Sequence, residues 1–475
     1  MAALVLAGCG SRVHPDTVAG ANGVPAGAAE TGAAGTTDGG LEADGSVADV
    51  GSVDDPGVVG DTGGEPGATT GGGTTGGPAA PEGDADNAPG GGGEAGACDG
   101  FKNQTGITDD KIVIANSSDI SGPVPGLMQA GQDATRAYAA YFNATSDICG
   151  RKLEVLLLDS RTDAAADQVS YTRACDEAFA AVGSMSAFDA GGAAAAQRCG
   201  LPDLRAASAS LERSRCTTCF GALSLKANEF ENAVPDWVKA NYPDAATKAG
   251  YVWINAGAVP ANANYQADAM EKRGLKFVVR TGIDTSEFNY APYVQELKDA
   301  GVEYLQFLGS AAHAVRMVQA MQQQGYKPDL FMMSQPMYEQ SFVEQAGDAA
   351  EDTHIFITHV PFEEASSNAE IELYLAWLQQ VNPGAKPTSY GLFAWSATRL
   401  FVEQATALGG RLTRASLVAR LRQVKDWTAN GAHGPQNVGS KHTGECWRFI
   451  KVEDGRFTSV GSRKYACNGT TTVPE

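Results

Sequence analysis

The strongest constraint on this chain is a strand, turn and helix unit that opens at Lys111 and recurs almost to the end. In KIVIANSSDISGPVPGLMQAGQDATRAYAAYFN, the run Ile112, Val113 and Ile114 suits a buried parallel strand, and Ser117 to Pro125 is a small-residue turn. Leu127, Ala130, Ala134, Ala137, Tyr138 and Tyr141 then recur at helical spacing, with Gln129, Gln132, Asp133 and Arg136 on the other side. Such a turn lies at the carboxyl end of its strand, where amides and hydroxyls can meet a ligand.

The unit repeats. Strands are expected at Lys152–Asp159, Ala180–Val182 and Leu204–Ala207, and helices at Ala164–Ala180 and Ala187–Gln197. Three strands therefore end in hydroxyl-rich turns, at Ser117–Ser121, Ser184–Ser186 and Ser208–Ser210. In a parallel sheet these turns share one edge. A second series opens with a helix at Phe230–Asn241 and a strand at Gly250–Asn255, followed by further strands at Leu275–Thr281, Val302–Leu308, Leu330–Ser334 and Ile355–Val360. Helices are expected between them, including one at Tyr338–Ala346. The tail reads as helices at Ala369–Gln380, Tyr390–Leu408 and Thr413–Val424, then an antiparallel pair at Cys446–Val452 and Phe457–Val460. Alternation of this kind specifies an α/β fold in two halves.

The first hundred residues do not continue the pattern. Between Gly10 and Ala97 there is no Phe, Tyr or Trp, and fourteen acids stand against Arg12 as the only strong base. Such a segment buries too little apolar surface to offset chain entropy, so a disordered tether is expected over 10–97. Its 88 residues would reach roughly 50 Å as a flexible coil. It holds thirteen of the twenty-one net negative charges, and the body lacks the clustered Lys and Arg that nucleic acid requires. Ahead of it, residues 1–9 end in Leu6-Ala7-Gly8-Cys9, which resembles the lipobox of bacterial lipoproteins. That resemblance implies lipidation at Cys9 and a membrane anchor.

Setting Cys9 aside leaves eight cysteines, an even number suited to an oxidising compartment. Proximity in sequence suggests Cys98–Cys149, Cys175–Cys199, Cys216–Cys219 and Cys446–Cys467. A zinc site at Cys216-Thr-Thr-Cys219 lacks a second ligand pair, and a redox role lacks the strand such a motif follows.

The segments quoted above, with GRKLEVLLLDSRTD, FAAVGSMSA and YLQFLGSAAHAVRMVQAMQQQGYKP, resemble in kind and order the type I periplasmic binding proteins of the branched-chain amino-acid group, over roughly Ile107 to Val460. The resemblance implies a two-lobed fold, each lobe a mainly parallel sheet flanked by helices, joined by a three-segment hinge. Lobe 1 would comprise 98–225 and 359–434, and lobe 2 226–358 and 435–475. It implies a monomeric solute receptor, without cofactor, metal or catalytic residues, that closes over a small molecule and delivers it to an ABC permease. It also implies a place on the outer face of the cytoplasmic membrane, as in Gram-positive bacteria.

Carried over by position, the ligand contacts of lobe 1 fall on Ser121, Ser184, Ser186, Ser208, Ser210 and Tyr390, with Leu127 as a wall. In amino-acid binders such positions hold a carboxylate. Those of lobe 2 fall on Asn255, Ser310, Gln335 and Met337. Where amino-acid binders carry an acid for the ligand ammonium, this chain has Gln335 and Met337, and Glu339 is expected to be late and helical. The expected ligand is accordingly amino-acid-like, a carboxylate, an amide or a small apolar metabolite. A sensor of the same fold is the alternative to transport. An enzyme is disfavoured, because there is no Gly-x-Ser-x-Gly elbow, no His-Glu-x-x-His and no Gly-x-Gly-x-x-Gly after a strand.

Overall fold

The computed structural model describes residues 95–475. Cys9 and the tether, up to residue 94, lie outside the described residues.

From Lys111 the chain builds β1 (Lys111–Ser118), α1 (Gln129–Thr145), β2 (Lys152–Asp159), α2 (Ala164–Glu177), β3 (Ala180–Val182), α3 (Ala190–Cys199), β4 (Asp203–Ala207), α4 (Leu211–Arg215) and β5 (Cys219–Leu223). The five strands form one parallel sheet in the order β2-β1-β3-β4-β5. The fifth strand was not expected. Its CFGAL run is short and carries Gly221, so neither length nor period marks it, but it closes the sheet beside β4.

Next come β6 (Glu229–Glu231), α5 (Ala233–Asn241), β7 (Ala249–Asn255), α6 (Val259–Lys272), β8 (Phe277–Asp284), α7 (Ala291–Asp299), β9 (Tyr304–Leu308), α8 (Ala311–Gln323), β10 (Leu330–Ser334), α9 (Gln340–Ala346) and β11 (His354–Ile357). Helices α10 (Ala369–Val381), α11 (Ser389–Leu408) and α12 (Arg414–Leu421) precede β12 (Cys446–Glu453), β13 (Arg456–Val460), β14 (Ala466–Cys467) and β15 (Thr470–Thr472). The second sheet runs β13-β12-β11-β10-β9-β7-β8, parallel from β11 to β8, with β12 antiparallel to both its neighbours. Phe230 belongs to a strand, not to the helix expected from 230, because β6 pairs with β15 from the end of the chain.

Apolar side chains cover both faces of each sheet, as parallel strands require. Ile112, Ile114, Val182 and Phe220 pack under α1 and α11, where Tyr138 and Trp395 meet edge to face at 4.7 Å. Ala115, Ala181 and Tyr171 pack under α2 and α3 on the other face. The second sheet buries Val252, Phe307 and Met333 on one face and Tyr251, Tyr304 and Met332 on the other.

Three crossings join the sheets, between β5 and β6, between β11 and α10, and between α12 and β12. They are laced together. The Ser224 amide donates to Gln436 Oε1 at 2.9 Å, the Gly434 amide to the Thr358 carbonyl at 2.7 Å, and the Lys226 amide to Thr443 Oγ1 at 3.0 Å. His359 and His433 face each other across two of these segments as an isolated bridge.

Disulfides join Cys98 to Cys149, Cys175 to Cys199, Cys216 to Cys219 and Cys446 to Cys467. Among the described residues no helix is long and apolar enough to cross a membrane, and no group of three His, Cys, Asp or Glu side chains is placed to hold a metal ion.

Candidate ligand-binding site

The carboxyl ends of the parallel strands in both sheets open onto a cavity of about 270 Å³ along the crossings. The first sheet contributes Met185 and Ala187 after β3, Ala207 to Ala209 after β4, and Pro123, Val124 and Leu127 from the turn after β1. The second contributes Ile254 to Ala256 after β7, Leu308 to Ser310 after β9, and Ser334 to Pro336 after β10. Leu225 from the crossing after β5, with Phe230 of β6, Phe356 of β11 and Trp447 of β12, also line it, so most of the wall is apolar. An apolar pocket with a few convergent polar groups between two sheets has the make-up of a small-molecule site.

Of the residues expected from sequence, Ser208, Asn255, Ser310, Gln335 and Tyr390 line this cavity, as does Leu127. Asn255 Oδ1 accepts from the Trp253 indole at 3.1 Å. Ser310 Oγ lies 2.6 Å from His313 Nδ1, and burial holds that imidazole below its usual pKa, so it is neutral at pH 7. Gln335 Oε1 accepts from the Thr358 amide at 3.3 Å, tying the end of β10 to a crossing segment.

Five others do not line the cavity. Ser121 is exposed and its hydroxyl donates to Asp159 Oδ2 at 2.5 Å. The turn after β1 therefore offers the cavity Pro123, Val124 and Leu127 instead. Ser184 is fully buried and accepts from the Ser117 amide at 3.0 Å, which locks β1 to the turn after β3. Gly183 makes that turn possible, since at φ +70° a Cβ would fall 2.2 Å from Thr135 Oγ1. Ser186 accepts from the Phe188 amide at 3.0 Å, and Ser210 caps α4 through the Arg213 amide at 3.3 Å. Met337 is fully buried in the second core.

The backbone amides at the same edge are also taken. Buried Asp119 accepts from the Ala187 amide at 2.9 Å, and buried Asp189 from the Ala209 amide at 2.7 Å. Behind them Arg213 bridges Asp167 at 3.0 Å and Asp203 at 2.7 Å, and Arg205 Nε lies 3.7 Å from Asp189. Most polar groups of this edge thus have partners within the chain, while Asp189 Oδ1 and Arg205 Nη2 have none. The ligand face of the edge retains the Ser208 hydroxyl, the Tyr390 side chain and apolar surface.

The sequence does not mark Glu229 or Glu231 as cavity residues, and it puts Glu339 in a helix. Glu339 is not helical: Pro336 sits in a 3₁₀ turn over Gln335–Met337, so α9 starts only at Gln340 and Glu339 stands extended at its amino end. It lines the cavity, its carboxylate accepts from Ser341 Oγ at 3.2 Å, and burial pushes its carboxyl up. Glu229 and Glu231 of β6 also line it. Glu229 is held by His442 Nδ1 at 2.8 Å. Glu231 is 2% exposed, burial pushes its carboxyl well up, and its Oε1 has no partner. Lys226 is the only Lys or Arg among the lining residues.

A family model described as "Periplasmic binding protein" matches residues 111–456. No curated protein matches the chain. Among solved structures, similarity extends to a fatty acid ABC transporter substrate-binding protein from Thermomonospora curvata, with 17% identity, a TM-score of 0.66, and coverage of 78% of this chain and 95% of that one. A solute-binding protein from R. palustris in complex with 4-hydroxybenzoate aligns at 18% identity and a TM-score of 0.63, covering 76% and 98%. A branched-chain amino acid transporter substrate binding protein from Streptococcus pneumoniae, in complex with isoleucine, aligns at 15% identity and a TM-score of 0.62, covering 77% and 99%. At these identities the likeness establishes the two-lobed type I architecture.

Proposed function

This chain belongs to the periplasmic binding protein family, and on that premise we propose that it is a receptor whose lobes close on one small molecule and deliver it to an ABC permease. The observation that carries the reading is the cavity itself: strand ends of both sheets and the crossing between β5 and β6 meet around one apolar space. Ligand-facing residues on rigid strand ends are prearranged, and closure about the crossings brings the second set onto the ligand. Under this reading the lobes are 98–225 with 359–434 and 226–358 with 435–475. Ser208, Tyr390, Asn255, Ser310, Gln335 and Glu339 are the polar contacts.

The receptor acts as a monomer, tethered by lipid at Cys9 on the outer face of the cytoplasmic membrane. The acidic 10–97 segment gives it reach to the permease. What supports the anchor is the LAGC sequence followed by a long segment without apolar period.

Mass spectrometry of small molecules released by denaturing the purified protein tests the reading. One compound in near-stoichiometric amount is expected, and adding it back to stripped protein should raise the melting temperature. Recovery of no compound, together with no thermal shift on exposure to a metabolite mixture, would overturn it.

A further inference from the structure

We propose that the turn from Gly257 to Asn262 is a latch that holds the two lobes closed by bonding one directly to the other; the proposal rests on the receptor reading above. In the first sheet, two turns at strand ends are built alike. The Ala187 amide after β3 donates to buried Asp119 Oδ2 at 2.9 Å, and the Ala209 amide after β4 to buried Asp189 Oδ2 at 2.7 Å. Asp119 is itself fixed by the Ser160 hydroxyl at 2.6 Å and the Thr162 amide at 3.1 Å, and the Phe188 amide donates to Ser186 Oγ at 3.0 Å. Each turn is thus anchored through its amide, and the carbonyls of Ala187 and Ala209 are left for donors from elsewhere.

Those donors come from across the cleft. After β7 ends at Asn255, the chain turns at Gly257 and enters α6 at Val259. The Ala258 amide donates to the Ala187 carbonyl at 3.0 Å, and Asn262 Nδ2 in the first turn of α6 donates to the Ala209 carbonyl at 3.0 Å. An amide at the amino end of a helix has no acceptor within that helix, and the helix dipole is positive there, so this end suits two fixed carbonyls. Gly257 permits the approach. At φ +49° a Cβ would lie 2.2 Å from the Ala187 carbonyl oxygen and 3.3 Å from Phe188 Cδ2. Ala256, Ala258 and Asn262 line the cavity but Gly257 does not, so the space it leaves serves the contact between lobes. Both bonds join residues of 98–225 to residues of 226–358 away from the crossings, and opening the cleft at this edge breaks them together.

The test is amide hydrogen exchange of the full chain as purified, read at single amides by mass spectrometry, for the parent, Asn262→Ala and Gly257→Ala. With the lobes apart the Ala258 amide has no acceptor, so its protection reports the latch. In the parent it should exchange about tenfold or more slowly than in a free peptide. Asn262→Ala should speed it by about fivefold, the worth of one hydrogen bond. Gly257→Ala should bring it to within about twofold of the free peptide, while the Tyr251 and Val252 amides of β7 stay within about twofold of the parent in both variants. If Gly257→Ala disturbs β7 itself, Asn262→Ala alone decides. The compound recovered from the native protein should also bind Gly257→Ala about tenfold or more weakly, a loss that no missing wall contact explains. Free exchange of the Ala258 amide in the parent, exchange unchanged in both variants, or a compound that binds Gly257→Ala as tightly as the parent would each overturn the proposal. If a compound is released and rebinds while the latch fails these tests, the latch falls and the receptor reading stands. If no compound is released and none binds, the receptor reading falls and the latch with it.

Discussion

His359 and His433 lie on two of the three crossings, fully buried, and should make the hinge the most acid-sensitive part of the molecule. Burial holds each imidazole neutral, to about 4 in each case; Arg448 adds to the effect at His359, and His359 adds to it at His433. Each ring donates Nδ1–H to a carbonyl, His359 to Val360 at 2.8 Å and His433 to Gly434 at 2.9 Å, and His359 Nε2 accepts from Ser389 Oγ at 2.8 Å. An unfolded histidine titrates near 6.5, so the folded state binds fewer protons between the two values. The stabilisation is fully present above about pH 6.5 and is lost as the pH falls toward 4. At 1.36 kcal/mol per pKa unit, a shift of about 2.5 units is worth about 3 kcal/mol per ring, of which about 2.5 is gone by pH 4.5. The carboxyls of Glu231, Glu339, Glu363 and Glu403 are raised by burial and act in the opposite sense, gaining stability as the pH falls. The parent profile is therefore a sum of both. Urea unfolding of the parent and of His433→Asn at pH 7.0, 5.5 and 4.5 separates them. The variant should be less stable at pH 7 yet lose about 2 kcal/mol less than the parent on acidification. Equal losses in both proteins would refute the argument.

Other consequences follow from side chains already placed. Glu370 accepts from the Trp395 indole at 2.6 Å and pairs with Arg399 at 2.7 Å, both ends 2% exposed, so Glu370→Gln should cost about 3 kcal/mol in denaturant unfolding. Ser121→Ala removes an exposed hydrogen bond to Asp159, so it should change stability by less than about 1 kcal/mol and ligand affinity by less than about twofold. Tyr390→Ala strips a cavity wall and should weaken binding by about tenfold or more, and because the ring also packs against the first core it should cost about 2 kcal/mol of stability. Reduction of the disulfides should lower the unfolding free energy, and the 51-residue separation of Cys98 and Cys149 makes that bridge worth about 3 kcal/mol or more.

The repeated strand, turn and helix units were legible because each buried parallel strand is a short apolar run and each helix carries a 3.6-residue stripe. That suffices for lobe architecture. Beta5 and β6 were missed for lack of local signal: CFGAL is five residues with a glycine, and EFE is a strand only because TTT from the chain end pairs with it. The serines mark the correct strand ends, yet a hydroxyl at such an edge can cap its own turn as readily as face a ligand. Ser186 and Ser210 do the former, and Ser184 ties its turn to β1. Glu339 was noticed but placed in a helix; Pro336 and the 3₁₀ turn delay that helix by the few residues that matter. Glu231 and Trp447 reach the cavity through β6 and β12, elements whose relation to the cleft is set by pairings more than 85 residues apart.

Closure of the lobes on a bound molecule is the claim on which the rest depends, and small-angle X-ray scattering on residues 95–475 tests it directly. Adding the compound recovered from the native protein should reduce the radius of gyration of the stripped protein, and Ser310→Trp, which fills the cavity at the end of β9, should abolish both the reduction and the binding. A radius of gyration unchanged at saturating compound, or a reduction that survives in Ser310→Trp, would contradict it.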